Sequence, residues 1–505
     1  MLMVNTFVVN VALPAMARDL KVDLGTAQWI VSGFVLTLGV VPIAAGRLAD
    51  ILGRREMYIG GLVLFVVSSI ACAVATDAYL LIAFRIVQGI GAAIMQPVTL
   101  SIVTNAFPAE DRGMAVGIWG GVSGLGLILG PVLGGLLVHG DSWRLVFLVN
   151  VPVGLVALLM ALRYVPESRD EGASRAVDWP GVALISGGLL LAMLAITRGN
   201  ADGWTSAIVL GGFAGAVALL GAFTFAESRG RAPLVDLSLF GRRTFVMACV
   251  SAFLFSACVF GSQPYTSLFM QNFWGMSPLE AGLGFLPSTA LVALLMPAGG
   301  IVGQKLGHHL RLLVMAGSIS VALSFLLLVS LDADDRYLNS FLLPFVLRGI
   351  GIGLVMTTTS LAVVSAVPTA KLGLASGTLT MARNVGTAVG VALLGAIYLS
   401  QVEAEAGGRF AQEGGPPPGV VAAAGRFVAT GSGAVQARAA DLIVDGYIAL
   451  ALACAALAGI ATLTAGFIRQ ARVPQPIGDR ATAAGERGRR RGALEAAPRS
   501  RSLGP

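Results

Sequence analysis

Gly46-Arg47-Leu48-Ala49-Asp50-Ile51-Leu52-Gly53-Arg54-Arg55 is a short charged stretch, bounded by glycines, at the junction of two apolar runs near residues 28–48 and 57–76. Each run has about 20 residues, the length an α-helix needs to cross a hydrocarbon core about 30 Å thick. So few residues between two such helices leave room only for a hairpin at a membrane surface. Working outward, further apolar runs lie near residues 1–16, 79–104, 113–137, 145–165, 179–198 and 205–225, then near 244–268, 279–302, 311–331, 338–366, 374–400 and 442–468. The expected fold is an all-α polytopic membrane protein of 14 spans. Composition agrees: of 505 residues 56% are hydrophobic and 12% charged, and mean hydropathy is +0.82. A soluble chain could not cover that much apolar surface with so little charge.

Charge orients the spans, because short cytoplasmic loops collect Lys and Arg. Loops after even-numbered spans hold 14 basic residues, and those after odd-numbered spans hold five when the long loop at 401–441 is left out. Both termini are therefore expected in the cytoplasm. The tail after Ile468 adds nine arginines, among them Arg489, Arg490 and Arg491, and reads as a disordered basic segment. The net charge of +7 is spread between spans and in this tail, so it does not form a nucleic-acid surface. Residues 401–441, with Gly414-Gly415-Pro416-Pro417-Pro418, read as an extracytoplasmic loop of little ordered structure. As a helix, Met1 to Met16 is about 24 Å long and falls short of the core, so either the true start lies upstream or the span is truncated. A signal peptide is the competing reading, although no positively charged region precedes the apolar stretch. Cys72, Cys249, Cys258 and Cys454 all lie inside apolar runs and read as reduced packing residues. No metal site or cofactor is expected.

The chain also resembles itself. A shift of 260 residues aligns Gly89-Ile90-Gly91 with Gly349-Ile350-Gly351, Gly113, Ala115 and Gly117 with Gly373, Ala375 and Gly377, and Gly126 and Gly130 with Gly386 and Gly390. A shift of 254 aligns Gly46 and Gly53 with Gly300 and Gly307. Two homologous bundles facing one another are the expectation. The division is 1–166 for an N-terminal six-helix bundle, 167–232 for two inserted spans, 233–470 for a C-terminal six-helix bundle, and 471–505 for the tail.

Four stretches carry candidate chemistry. In the opening stretch, Gly46 and Gly53 allow tight helix ends, and Asp50 can pair with Arg54, Arg55 or a helix N-terminus of the opposite half to make a latch that breaks and reforms. Plain positive-inside charge would explain the arginines but neither Asp50 nor the glycines. In Arg85-Ile86-Val87-Gln88-Gly89, an arginine in mid-span is costly unless it is paired or faces water, so Arg85 is expected to point into a central cavity. A structural cation satisfied by backbone carbonyls is the alternative. In Gly126-Leu127-Ile128-Leu129-Gly130-Pro131-Val132-Leu133-Gly134-Gly135, small residues permit close helix approach and Pro131 permits a bend. The fourth group is the polar residues Asn5, Asn10, Arg85, Gln88, Tyr265, Gln271, Arg383 and Asn384, candidates for lining a substrate and proton pathway. His308 and His309 correspond to Arg54 and Arg55 in the repeat and read as boundary residues. Gly349-Ile350-Gly351-Ile352-Gly353 lies in an apolar helix with no strand before it, so it is no nucleotide fingerprint, and no catalytic constellation is visible.

The opening stretch resembles the GxLaDrxGrr loop motif of the major facilitator superfamily, Arg85 to Gly89 its RxxqG motif, and Gly126 to Gly135 the gxxxGPxxGG motif of its antiporters. Val9 to Pro14, Trp143 to Pro152, Ala382 to Gly386 and the pattern from Tyr265 through Pro287 resemble the fourteen-span drug:proton antiporters of that superfamily. The resemblance covers residues 4–468. It implies two pseudo-symmetric six-helix bundles with two central inserted helices, in a multi-pass protein of the cell membrane that exports amphipathic drugs or antibiotics in exchange for protons and works as a monomer. One departure matters: where the family commonly has an aspartate in span one, this sequence has Asn5, which cannot titrate. With no acid among the pathway candidates, neutral, zwitterionic or anionic substrates are expected. A nutrient importer and a non-transporting receptor or scaffold are the rival readings; the span-five motif argues against the first, and embedded Arg85 and Arg383 argue against the second.

Overall fold

The structure, a computed structural model, describes residues 1–22, 24–108, 111–137, 143–169, 178–229, 237–306, 309–332, 336–368, 371–409 and 433–468, and not every side chain within them. All of these fall in one compact unit, Met1–Gln470; the expected basic tail lies outside the described residues.

Helix occupies every segment expected to span. In order these are α1 (Leu2–Asp19), α2 (a pair, Leu24–Val40 and Pro42–Leu52), α3 (Arg54–Ala73), α4 (Ala78–Ala106), α5 (Arg112–Leu137), α6 (Leu145–Tyr164) and α7 (Trp179–Asp202). They continue as α8 (Ala207–Arg229), α9 (Arg243–Gln271), α10 (Pro278–Gly284 and Leu286–Leu306), α11 (Leu310–Ser330), α12 (Tyr337–Ser340 and Leu342–Ser365), α13 (Leu372–Arg409) and α14 (Gly433–Ala465). Among the described residues 11 helices are long and apolar enough to cross a membrane, or 12 when the α2 pair, bent by 52°, counts as one crossing. The expected number was 14; α1, which ends in Arg18 and Asp19, and α5 are helical but stand outside that count. The bend in α2 falls where Pro42, with no N–H to donate, opens the second piece.

The expected loop at 401–441 is shorter than the sequence pattern implies. α13 continues to Arg409 and α14 begins at Gly433, so helix enters the segment from both ends, and 410–432 lies outside the described residues. Alanine and polar residues there are good helix formers, and a helix once nucleated in the apolar run propagates through them. Asp445 consequently sits inside α14, half-buried within the apolar run Ala440–Ala465.

Packing sorts the helices. α1 lies on α5, α3 on α4 and α6; α11 lies on α12 and α14, and α9 on α13 and α14. The two sets meet along two main seams, the second piece of α2 against α13 and α5 against α10. α7 and α8 pair with each other, and α7 also touches α2 and α13, which sets the central pair beside the first seam. Phe269 stacks on Phe341 and Tyr447, joining α9, α12 and α14. The four cysteines are buried free thiols.

Candidate functional site

The first seam is closed at the Asp50 end by contacts that only glycine permits. A Cβ on Gly46 would collide with the Gly373 carbonyl oxygen, and one on Gly373 would collide with that of Gly46. With the backbones in contact, Asp50, fully buried four residues along α2 from Gly46, reaches the N-terminus of α13. Its Oδ1 accepts the Gly373 N–H and its Oδ2 the Leu374 N–H, both at 2.9 Å. These are two of the backbone donors that a helix start leaves without acceptors, and the positive end of the helix dipole favours the carboxylate. Arg54 completes the cluster, donating to Oδ1 from Nη2 at 2.8 Å and from Nε at 3.2 Å. Gly53, at φ +122°, makes the break between α2 and α3 that turns Arg54 back onto Asp50. Arg55 takes no part: its Nη2 donates to the Leu162 carbonyl, and its backbone N–H donates to Glu167, which also accepts from the Glu56 N–H.

The second seam repeats this geometry with different chemistry. Gly300 of α10 meets Gly113 and Gly117 of α5 so closely that a Cβ on Gly300 or Gly113 would overlap the other's carbonyl. Gln304, four residues beyond Gly300, accepts the Gly113 N–H at 2.7 Å through Oε1. The sequence reading missed Gln304, although the shift of 254 that maps Gly46 onto Gly300 also maps Asp50 onto it. Close approach in α5 runs from Gly113 to Gly124 against Met296, Pro297 and Ala293. Within the antiporter-like motif, Gly126 is half-buried, Gly130 is buried, and α5 passes through Pro131 as one helix; the contacts of Pro131, Gly134 and Gly135 lie outside what the structure describes.

The polar pathway candidates do not converge on one pocket. Asn5, Arg85 and Gln88 form one buried network inside the α1–α6 set. Arg85 Nη1 donates to Asn5 Oδ1 and to Gln88 Oε1, each at 2.7 Å, and Nε donates to the Ile30 carbonyl at 2.9 Å. Gln88 Nε2 and Asn150 Nδ2 both donate to Ser69 Oγ, at 2.9 and 3.2 Å, and the guanidinium stacks over Phe34 at 4.1 Å. The expectation that Arg85 faces an open cavity is thus corrected: it is 0% exposed, because amide oxygens, a backbone carbonyl and an aromatic face from neighbouring residues enclose it. Asn5 Nδ2 is buried without a partner.

Arg383 turns to α12, donating through Nη2 to the Met356 carbonyl, Thr359 Oγ1 and Ser360 Oγ. Its neighbour Asn384 crosses the first seam to the Leu38 carbonyl and to Gln96 of α4. Tyr265 donates to the Val391 carbonyl on α13, while Gln271 bonds Ser267 within its own helix. The Asn10 side chain lies outside the described residues. A buried cation that the motifs did not flag is Arg348, held between Phe325 and Phe345 at 4.3 and 5.1 Å, with Nε and Nη2 buried and unpartnered. In the 260-residue repeat Arg348 stands where the first set has Gln88, and Phe345 stands where it has Arg85. Among the described residues no group of acids and histidines could hold a metal ion.

The family model described as Major Facilitator Superfamily matches residues 1–391. The chain is 35% identical to the tetracenomycin C resistance and export protein of Streptomyces glaucescens, over 80% of this chain and 74% of that one. It is 34% identical to multidrug resistance protein Stp of Mycobacterium tuberculosis over 80% and 74% of the two chains, and 32% identical to the methylenomycin A resistance protein of Bacillus subtilis over 80% and 86%. Among solved structures, the human organic anion transporter MFSD10 shares the fold at TM-score 0.59 and 17% identity, covering 92% of this chain and 96% of that one. The proton:xylose symporter XylE shares it at TM-score 0.56 and 15% identity.

Proposed function

The chain belongs to the major facilitator superfamily and is an efflux transporter within it, and from that premise we propose that it exports amphipathic small molecules across the cell membrane in exchange for protons, by rocking α1–α6 against α9–α14. The observation that carries this reading is the Asp50 clasp. One side chain of the first set holds the start of α13 in the second through two hydrogen bonds that can break as a unit, as alternating access requires. The charge count assigns the clasped end to the cytoplasm, so the arrangement is the one closed on that side. Of the two inserted helices, α7, paired with α8, braces the first seam, and the protein works as a monomer.

Proton exchange is energetically sufficient: one proton crossing 100 mV yields about 2.3 kcal/mol, enough for a roughly fifty-fold substrate gradient. With Asn5 beside Arg85, the carboxylates buried or half-buried in the described spanning helices and available to carry it include Asp50, Glu227 and Asp445. Substrate charge follows from the interior cations. Arg85 has neutral partners, Arg348 and Arg383 retain buried N–H groups without acceptors, and a like charge brought near them is repelled. Neutral, zwitterionic or anionic compounds therefore fit best.

A compound panel in efflux-deficient cells, with and without a protonophore, tests the reading. Expression should lower cell-associated neutral and anionic compounds, the protonophore should abolish the effect, and a permanent organic cation should be exported poorly. Accumulation above control would mark an importer, no change would mark a non-transporting protein, and cation export equal to that of neutral compounds would overturn the charge preference.

A further inference from the structure

Both seams end in the same device. Asp50 lies four residues past Gly46 and binds Gly373, the second residue of α13; Gln304 lies four residues past Gly300 and binds Gly113, the second residue of α5. In each pair the glycines bring the backbones together, so the side chain can reach helix-start N–H groups on the opposite set. The chemistry is unequal. The carboxylate makes charge-assisted bonds to two N–H groups and holds Arg54 as well, whereas the amide makes a neutral bond to the Gly113 N–H through an oxygen that carries no net charge. Building on the export reading, we propose that Gln304 is a second gating residue, a positioning residue that clasps α10 to α5, and that its neutrality makes α5–α10 the more readily opened seam.

This arrangement assigns a direction to each substitution. Gln304→Ala removes the side-chain acceptor of the Gly113 N–H at this close backbone crossing, so the seam should open. Gln304→Glu keeps the acceptor, adds charge facing the positive end of α5, and makes the second clasp resemble the first, so the seam should stay shut. Spin labels at Met114, next to Gly113, and Val302, two residues before Gln304, both exposed side chains, report this distance by pulsed EPR in the full chain in proteoliposomes. The alanine variant should show a larger open population than wild type, with efflux lowered about tenfold at equal surface amount. The glutamate variant should show a smaller open population than wild type, with efflux lowered because the seam fails to release. Wild-type distances and efflux in the alanine variant would overturn the proposal. Should that variant not fold, an open population in the glutamate variant equal to or above wild type would overturn it instead. The distances involve no substrate: a compound panel that finds nothing exported would remove the export reading while leaving these seam measurements to decide on Gln304.

Discussion

Asp50→Asn should insert normally and lose most of its transport. The carboxylate accepts four donor contacts, two from Arg54 and one each from Gly373 and Leu374. An asparagine of the same shape offers one oxygen, and its amide nitrogen, itself a donor, must then face another donor. With the oxygen at the Oδ1 position the Leu374 N–H loses its acceptor, and with it at the Oδ2 position Arg54 and the Gly373 N–H both do. Arg54, 2% exposed, also loses its counter-charge, and removing one partner of a buried pair costs about 3–5 kcal/mol. Because Arg54 keeps other contacts and can relax, a loss of about 2–3 kcal/mol from the clasped state alone is the reasonable magnitude. That is about thirty-fold or more in the clasped-to-unclasped ratio, and flux through a cycle that must visit the clasped state falls with it. The measurement is efflux per molecule at the cell surface, read together with labelling of a cysteine placed in the first seam. Full transport in this variant would remove Asp50 from the gating role.

How much of this was legible beforehand differs from residue to residue. Helices are governed by runs of apolar side chains, and those are visible one residue at a time, so each segment expected to span is helical. The Asp50 stretch was legible because its glycines, acid and arginines are adjacent in sequence, and what they require of one another is local. Gln304 was hidden because it matches its counterpart in place and not in type, and a comparison that follows glycines passes over it. Arg85 was identified as costly, but its surroundings were misjudged: partners such as Ile30 and Asn5 come from other helices, and only packing shows that they enclose it. Arg348 raised no alarm in the motifs because the chemistry of the repeat is exchanged there, an aromatic standing where the first set has its arginine.

The Arg85 network sets up the other large effect. Asn5→Asp should broaden export toward cations. In the present chain the guanidinium is fully buried, its side-chain partners are neutral amides, and the Asn5 Nδ2 group is buried without an acceptor. A carboxylate at this position removes the orphaned donor, receives the same Arg85 Nη1 hydrogen bond with charge assistance, and cancels the net charge of the cluster. The consequence reaches beyond the contact itself. A monovalent cation about 8 Å from an isolated guanidinium is repelled by about 2 kcal/mol at an effective dielectric near 20; cancelling that repulsion is worth about thirty-fold in the binding of a cation and almost nothing for a neutral compound. Efflux of a permanently cationic dye, measured against a neutral compound in the same cells, should therefore rise selectively in the variant. Equal change for both compounds would point to altered gating, and an unchanged dye in a variant that still exports the neutral compound would show that the field of Arg85 does not reach the bound substrate.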